Sequence, residues 1–474
     1  MGGVVPTPVV RWLLERGGPV DGFCQSVVVG VPAGVGVEGL TAVVQAVVDR
    51  HDVLRLRVSG GVEWGLEVGG PGSVAAGGLV RRVDVAGLDG VAVDGVVEVE
   101  FEAARGRLDP FGGVMLQAVW LDPGPSSAGR LLLVVHHLVV DGVSWRILLP
   151  DFAAAWAAVE AGVEVRLEPV GTSFRRWAQL LSREALAAGR VGELDLWRGM
   201  AGGSGRLPGA PVLDPSVDTF GSVRQVSVVL EPGDAEPLLT SVPAAFHAGV
   251  HEVLLAAFVL AVAEWRRRAG DGAGDGAVVL DLEGHGREEF VEGVDLSRTV
   301  GWFTSVFPVS LDAGAVEWPE VVEGGAGLGR AVKRVKEQLR ELPDHGLGYG
   351  LLRYLNPEVG AELAQLAPPE LGFNYLGRFG SGSGGAWEPV PGGDVLGGGA
   401  DALMPAAHVL DLNALTRDDV DGSRLVAVWS WPERLLDQVM VEELSGLWVE
   451  ALRALAVHAD DPGIGGRTPS DLPL

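Results

Sequence analysis

The chain has 474 residues, more than one domain usually holds, and its 47% hydrophobic and 21% charged residues are those of a soluble globular protein. With 63 acidic against 36 basic residues the formal charge is −27, which argues against nucleic-acid binding through phosphates and against docking on an anionic membrane, and an acidic partner must meet a local basic patch. A single cysteine, Cys24, excludes a disulfide framework and a cysteine-built zinc site, and is read as a small core residue in a reducing cytoplasm.

The predicted elements describe an α/β protein. Residues 1–10 lack the basic and apolar regions of a signal peptide. Val37–Leu54 is predicted as a helix carrying Leu40, Val43, Val44, Val47 and Val48 on one stripe, followed by strands over Leu54–Val58 and Val62–Val68. After Arg130 the run LLLVV predicts a buried strand ending at His136 and His137. The chain then turns at Asp141 and Gly142 into a helix with Ile147, Leu148, Phe152, Ala155 and Trp156 on one face. Leu131–Leu149 is interrupted by His136, His137, Asp141 and Arg146, and Val253–Val262 is too short, so neither is read as crossing a bilayer. Gly202–Val223 is rich in Gly, Pro and Ser and reads as an inter-domain connection, with the boundary nearby: domains over residues 1–190 and 191–474.

Beyond it, Arg224–Leu230 is strand-like, Val250–Arg267 a strongly apolar helix, and Ala277–Leu282 a short buried strand running into EGHGRE. The run TVGWFTSVFPVSL reads as a strand, Glu317–Leu342 as mostly helical, LGFNYLG and LVAVWSW as strands, and Pro432–His458 as an amphipathic helix. The glycine-rich stretch Phe379–Gly399 is expected to be a mobile loop, since roughly 20 residues dominated by Gly, Ser and Pro bury little surface. There is no internal repeat.

Two segments concentrate chemistry. In HHLVVDG, His136–Gly142, a histidine at a strand end can be held in one tautomer and presented as general acid or base; the alternative is a pair of structural histidines. In LEGHGREEF, Leu282–Phe290, Glu283 sits at a strand end where burial would raise its pKa, although a solvated or salt-bridged glutamate fits the same local pattern. His285 reads as a hydrogen-bonding turn residue and Arg287 as a buried ion-pair partner, for which Asp141 is the candidate. Ser144 is expected to cap the helix that follows Asp141. Zinc would need three or four ligands, and neither a Cys cluster nor HExxH is present; nor is there a phosphate-binding glycine motif.

At these residues a resemblance emerges that extends over nearly the whole chain. HHLVVDGVSW resembles the HHxxxDG motif of the condensation-domain superfamily. LEGHGRE, RTVGWFTSVFPVSL, PDHGLGYG, FNYLGRF and TPSDLPL follow in order, after PTPVVRWLLE and RHDVLRLR near the start. Together these eight resemble the epimerization domains of nonribosomal peptide synthetases.

The resemblance implies two chloramphenicol acetyltransferase-like lobes arranged in a V around a central tunnel. It implies that His137 and Glu283 face each other as the acid–base pair that inverts an α-carbon, L to D. His136 and Asp141 would be structural, the latter salt-bridged to Arg287. Asn374 and Tyr375 would line the site, although their apolar neighbours also suit a strand whose alternate residues are core. Backbone N–H groups near Asp141–Ser144 would stabilise the enolate.

No intrinsic cofactor or metal is implied. The 4'-phosphopantetheine arm would come from an upstream peptidyl carrier domain, with a condensation domain downstream, in a much longer cytoplasmic chain. The excised domain would be monomeric. Departures are His251 and Glu252, where the family usually has Asn-Asp, and Arg378 and Gly380, where it has Gln and Asp; they bear on carrier docking and tunnel lining. The competing readings are a condensation domain, which generally lacks the Glu283 motif, a non-catalytic recruitment module, which tends to lose the active histidine, and a coenzyme A acyltransferase.

Overall fold

Burial alternates along the strands and recurs with helical period elsewhere, and these patterns sort the chain into two α/β units. The computed structural model describes residues 1–61, 64–203, 206–270, 276–380, 382, 385–393, 399–458 and 465–472. One unit comprises Met1–Glu184, Arg287–Thr304 and Ser381–Met404; the other comprises Ala185–Gly286, Ser305–Gly380 and Pro405–Leu474. The long first segment therefore ends a few residues before the expected boundary near 190. Two later segments belong to the first unit, which a boundary drawn from linker composition does not express. The stretch Gly202–Val223 lies inside the second unit.

The first unit holds strands β1 (Gly2–Val4), β2 (Cys24–Val31), β3 (Leu56–Ser59), β4 (Gly65–Val68), β5 (Val80–Asp84), β6 (Leu116–Asp122) and β7 (Gly129–His136). Its helices are α1 (Pro8–Arg16), α2 (Val37–Arg50), α3 (Gly90–Arg105), α4 (Gly142–Glu160) and α5 (Phe174–Glu184). The main sheet runs β2-β7-β6-β5, antiparallel except for β5 with β6, and β1-β4-β3 make a small antiparallel sheet. β6 and β7 are buried almost throughout, as the unbroken run LLLVV requires of a strand covered on both faces. Leu132 and Val134 of β7 pack with Ala104 of α3, while the stripe Leu40, Val43, Val44, Val47 and Val48 of α2 is fully buried and α2 packs against α4.

The stretch expected to be a mobile loop is held where it is described; residues 381, 383–384 and 394–398 lie outside the description. The Gly30 N–H donates to the Glu388 carbonyl (2.9 Å), Trp387 N–H to Gly30 (2.7 Å) and Val390 N–H to Val28 (3.0 Å); Cys24 and Gly399 exchange two 3.0 Å bonds. Composition concealed this because an edge of β2 needs backbone partners and no side-chain periodicity. Trp387 is 6% exposed and lies against Phe152 and Trp156 of α4.

The second unit holds β8 (Val223–Leu230), β9 (Val278–Gly284), β10 (Ser305–Leu311), β11 (Leu371–Gly380), β12 (Leu410–Asp419) and β13 (Gly422–Pro432) in one sheet ordered β10-β9-β11-β12-β13-β8. β9, β11 and β12 are parallel; the other pairs are antiparallel. The all-round apolar helix α6 (Val250–Arg268) is buried against α7 (Ala326–Arg340) and α8 (Gln438–His458). Phe258 of α6, Phe373 of β11, Trp429 of β13 and Trp448 of α8 form an aromatic chain in the core. Each buried tryptophan contributes about 4–6 kcal/mol of transfer free energy as an upper bound. Of the run TVGWFTSVFPVSL only Ser305–Leu311 is strand; its first part, through Thr304, belongs to the other unit. Among the described residues no single helix is long and apolar enough to cross a membrane.

Candidate functional site

Each unit ends a core strand on a titratable side chain, and the two settings differ. In the first unit β7 ends at His136, which is fully buried. Its Nε2–H donates to the Val20 carbonyl (2.8 Å) and its Nδ1 accepts from Leu138 N–H (3.2 Å). Both ring nitrogens are thus committed, and burial pushes the imidazole down to about 4. The His136 ring is therefore neutral near neutral pH.

The next residue, His137, is turned out of the sheet by a short 3-10 turn, His137–Val139. Its ring is stacked on Phe23, with centroids 4.6 Å apart and planes 11° from parallel, and lies 4.8 Å from Trp302. Burial lowers its pKa against the opposing pull of the His137 carbonyl, Asp141 and the Val140 carbonyl. The amide Nε2 of Gln25 donates to His137 Nε2 at 3.0 Å. This leaves the ring proton on Nδ1, beside carbonyls that make no aligned hydrogen bond to it. A neutral imidazole with a basic Nε2 is a competent proton acceptor.

Asp141 supplies the scaffold. It is the N-cap of α4, accepting the Ser144 N–H at 2.7 Å on Oδ1. Ser144 therefore does not cap the helix as expected; it is the third helical residue, its hydroxyl 2.7 Å from Asp141 and accepting the Gly301 N–H at 3.1 Å. Arg287 Nη2 reaches both Asp141 oxygens at 3.0 and 3.1 Å, and Phe303 N–H donates to Oδ2 at 3.2 Å. The guanidinium lies 3.9 Å from the Phe303 ring centroid. A carboxylate and a guanidinium, both almost fully buried, thus fix the start of α4 and with it the turn that carries His137. Because the Ser144 N–H is donated to Asp141, it is not available to an enolate oxygen, contrary to expectation for that donor.

In the second unit β9 alternates: Val278, Leu280 and Leu282 face the core, while Val279, Asp281 and Glu283 face away. Leu282 pairs with Phe373 of β11, which sets Glu283 beside Asn374, whose Nδ2 donates to Glu283 Oε2 at 2.9 Å. Tyr375 projects to the opposite face, packs on the core and hydrogen-bonds Thr416 at 2.8 Å; burial raises its phenol pKa. Of these two expected lining residues the structure brings only Asn374 to Glu283. His285 lies exposed beyond the strand end, its ring 6.5 Å from that of His345.

The departures have local partners in this unit. Glu252 pairs with Arg340 at 3.1 Å, and Arg378 with Asp418 at 2.6 Å. Two positions beneath Glu283, Asp281 and Asp411 hold the buried His408 at 3.0 and 2.6 Å. Burial opposes charge on this ring, but Asp411 and Asp281 outweigh it and raise the pKa to about 10. Sequence reasoning missed His408, Gln25, Trp145 and Trp302. The available signal for Gln25 was a polar residue inside the apolar run FCQSVVVGV. Among the described residues no group of three His, Cys, Asp or Glu side chains is placed to share a metal ion.

Comparison with known proteins identifies the family and the fold. The Condensation domain family model matches residues 125–386. The chain is 34% identical to a linear gramicidin synthase of Brevibacillus parabrevis, over 100% of this chain and 6% of that protein. It is 33% identical to chondramide synthase cmdD of Chondromyces crocatus, over 96% and 11%. The chain thus spans a small fraction of the length of these relatives. Among solved structures it is similar to the epimerization domain from the third module of tyrocidine synthetase B, with a TM-score of 0.80 and 26% identity covering 97% of this chain and 98% of that one. It also shares its fold with the X-domain from teicoplanin biosynthesis (TM-score 0.66, 20% identity, 99% and 97% covered). The chain belongs to the condensation-domain family, the superfamily of nonribosomal peptide synthetase domains.

Proposed function

We propose that the domain is an epimerase that inverts, L to D, the α-carbon of an aminoacyl or peptidyl group held as a thioester on the 4'-phosphopantetheine arm of a carrier domain. An α-proton beside a thioester carbonyl is acidified by enolate formation, so inversion needs one acid–base group for each face of the carbon. His137 and Glu283 take these roles, with Asn374 orienting Glu283 and the Asp141–Arg287 pair holding the turn that carries His137. The observation that carries the reading is Glu283 steered by Asn374, since amide formation has no use for a second acid–base group. Similarity to an epimerization domain over 97% of the chain supports it.

The partners proposed are an upstream peptidyl carrier domain and a downstream condensation domain of a cytoplasmic assembly line. The arm belongs to the carrier, and the excised domain is expected to be monomeric without a cofactor of its own. The test loads a cognate carrier with an L-aminoacyl or peptidyl pantetheine in D2O and follows Cα deuteration and D-product. Deuteration by the parent protein and its loss in Glu283→Gln support the reading. Amide formation without exchange, when an acceptor carrier is added, would replace it with the condensation reading.

A further inference from the structure

The indole Nε1 of Trp145, a residue only 2% exposed on α4, donates to Gln25 Oε1 at 2.9 Å. An indole N–H can only donate, so the carboxamide oxygen must face it, and the amide NH2 must face His137. The Gln25 NH2 in turn can only donate, so His137 Nε2 must carry its lone pair there. Three side chains from β2, α4 and the turn after β7 thus form a one-way relay, Trp145 to Gln25 to His137. We infer that Gln25, clamped by Trp145, is a positioning residue that fixes His137 as the neutral Nδ1–H tautomer and occupies the proton-accepting lone pair until substrate displaces the amide.

The chemistry follows from what happens when His137 takes a proton. Two N–H donors would then face each other at 3.0 Å, and the amide could accept only by turning over. Turning over would set its NH2 against the Trp145 N–H and leave that buried donor without a partner. The relay therefore opposes the imidazolium and favours a base that is ready before substrate arrives. Among the described residues, the other ionisable groups around the ring are His136, whose nitrogens are both committed, and Asp141, whose charge is met by Arg287. Phe23 and Trp302 bring no charge. None of these groups would restore the tautomer once Gln25 is changed.

The tautomer stands on these contacts alone; its catalytic consequence rests on the epimerization reading. The test uses the full chain with 15N-labelled histidine, following long-range 1H–15N correlations against pH and assigning His137 by its disappearance in His137→Gln. In the parent protein Nδ1 carries the proton and Nε2 does not. In Gln25→Leu the His137 midpoint rises by about 1–2 pH units, the shift expected for relief of one unsatisfied buried donor. In Gln25→Glu it rises further, because a carboxylate oxygen facing Nε2 accepts a proton from it. In Trp145→Phe it rises with Gln25 intact, since the amide can turn. Trp145→Phe also keeps the test alive if Gln25→Leu does not fold.

In the exchange assay the acid limb of the rate profile moves to higher pH in parallel with the NMR midpoint, and the alkaline plateau falls less than 10-fold. An unchanged midpoint in Gln25→Leu or, should that variant not fold, in Trp145→Phe overturns the inference, even if the parent protein catalyses exchange. The predicted NMR shifts without exchange by the parent protein would uphold the tautomer and sink the epimerase reading instead.

Discussion

The ends of β7 and β9 present their titratable side chains in opposite ways. At β7 the group is an imidazole enclosed by Phe23 and Trp302, backed by a buried histidine and by an Asp141–Arg287 pair drawn from residues 146 positions apart. At β9 it is an exposed carboxyl that accepts from the Asn374 amide of the adjacent strand. Desolvation and a directed donor favour a neutral imidazole, whereas water and an amide dipole favour an ionised carboxyl. The buried histidines repeat the contrast. His136 is kept neutral by burial in the first unit, and His408 is kept charged by two carboxylates in the second.

The most severe way to break this comparison is to remove each group in turn. His137→Ala is expected to cut α-proton exchange by about 10²–10⁴-fold, and Glu283→Gln by a similar factor. Exchange within about 3-fold of the parent in Glu283→Gln would show that only the β7 end does chemistry. Next in size, Arg287→Met leaves Asp141 buried without its partner and should lower unfolding free energy by about 3–5 kcal/mol in a denaturant titration. A loss under about 1 kcal/mol would mean that the scaffold is hydrated and the two ends are less different than described.

Smaller effects sharpen the comparison within β11. Asn374→Ala should reduce exchange about 10-fold through one hydrogen bond to a charged, solvent-facing group. Tyr375→Phe, which loses a neutral bond on the core face, should lower stability by about 1 kcal/mol and leave exchange within 2-fold. The reverse order would place Tyr375, not Asn374, at the reacting carbon.

The linkage effects, read as slopes of stability against pH, have opposite signs. The folded pKa of His408 is raised to about 10, so its contribution is complete below about 6.5 and is lost as pH rises toward 10. The stability gap between the parent protein and His408→Gln should shrink over that window. The folded pKa of His136 is depressed to about 4, so stability is retained above about 6.5 and lost as pH falls toward 4. His136→Gln should flatten that acid limb.

Much of this arrangement was legible in the sequence, for identifiable physical reasons. LLLVV followed by HH and DG announced a buried strand, a turn and a helix start, and the stripe on α2 announced its buried face. What stayed hidden depended on partners distant in sequence. Ser144 looked like a cap because Ser is a good N-cap, but Asp141 occupies that position and draws on Ser144, Arg287 and Phe303 together. Asn374 and Tyr375 are adjacent in sequence but fall on opposite faces of β11, which the period of two implies only once the strand is known to be core on one side. Trp387 sat in a stretch too rich in glycine to suggest burial, because the backbone alone aligns it along β2.

The two returning segments of the first unit also set a clock on its assembly. Asp141 leaves the ribosome 146 residues ahead of Arg287, and the edge partners of β2 emerge later still, up to Met404. At about 5–20 residues per second, the carboxylate waits on the order of 10–30 s for its guanidinium. Any scheme that exchanges this domain between synthetases must therefore move both units together, since a cut after Glu184 would strand a nascent half whose electrostatic keystone has yet to be translated.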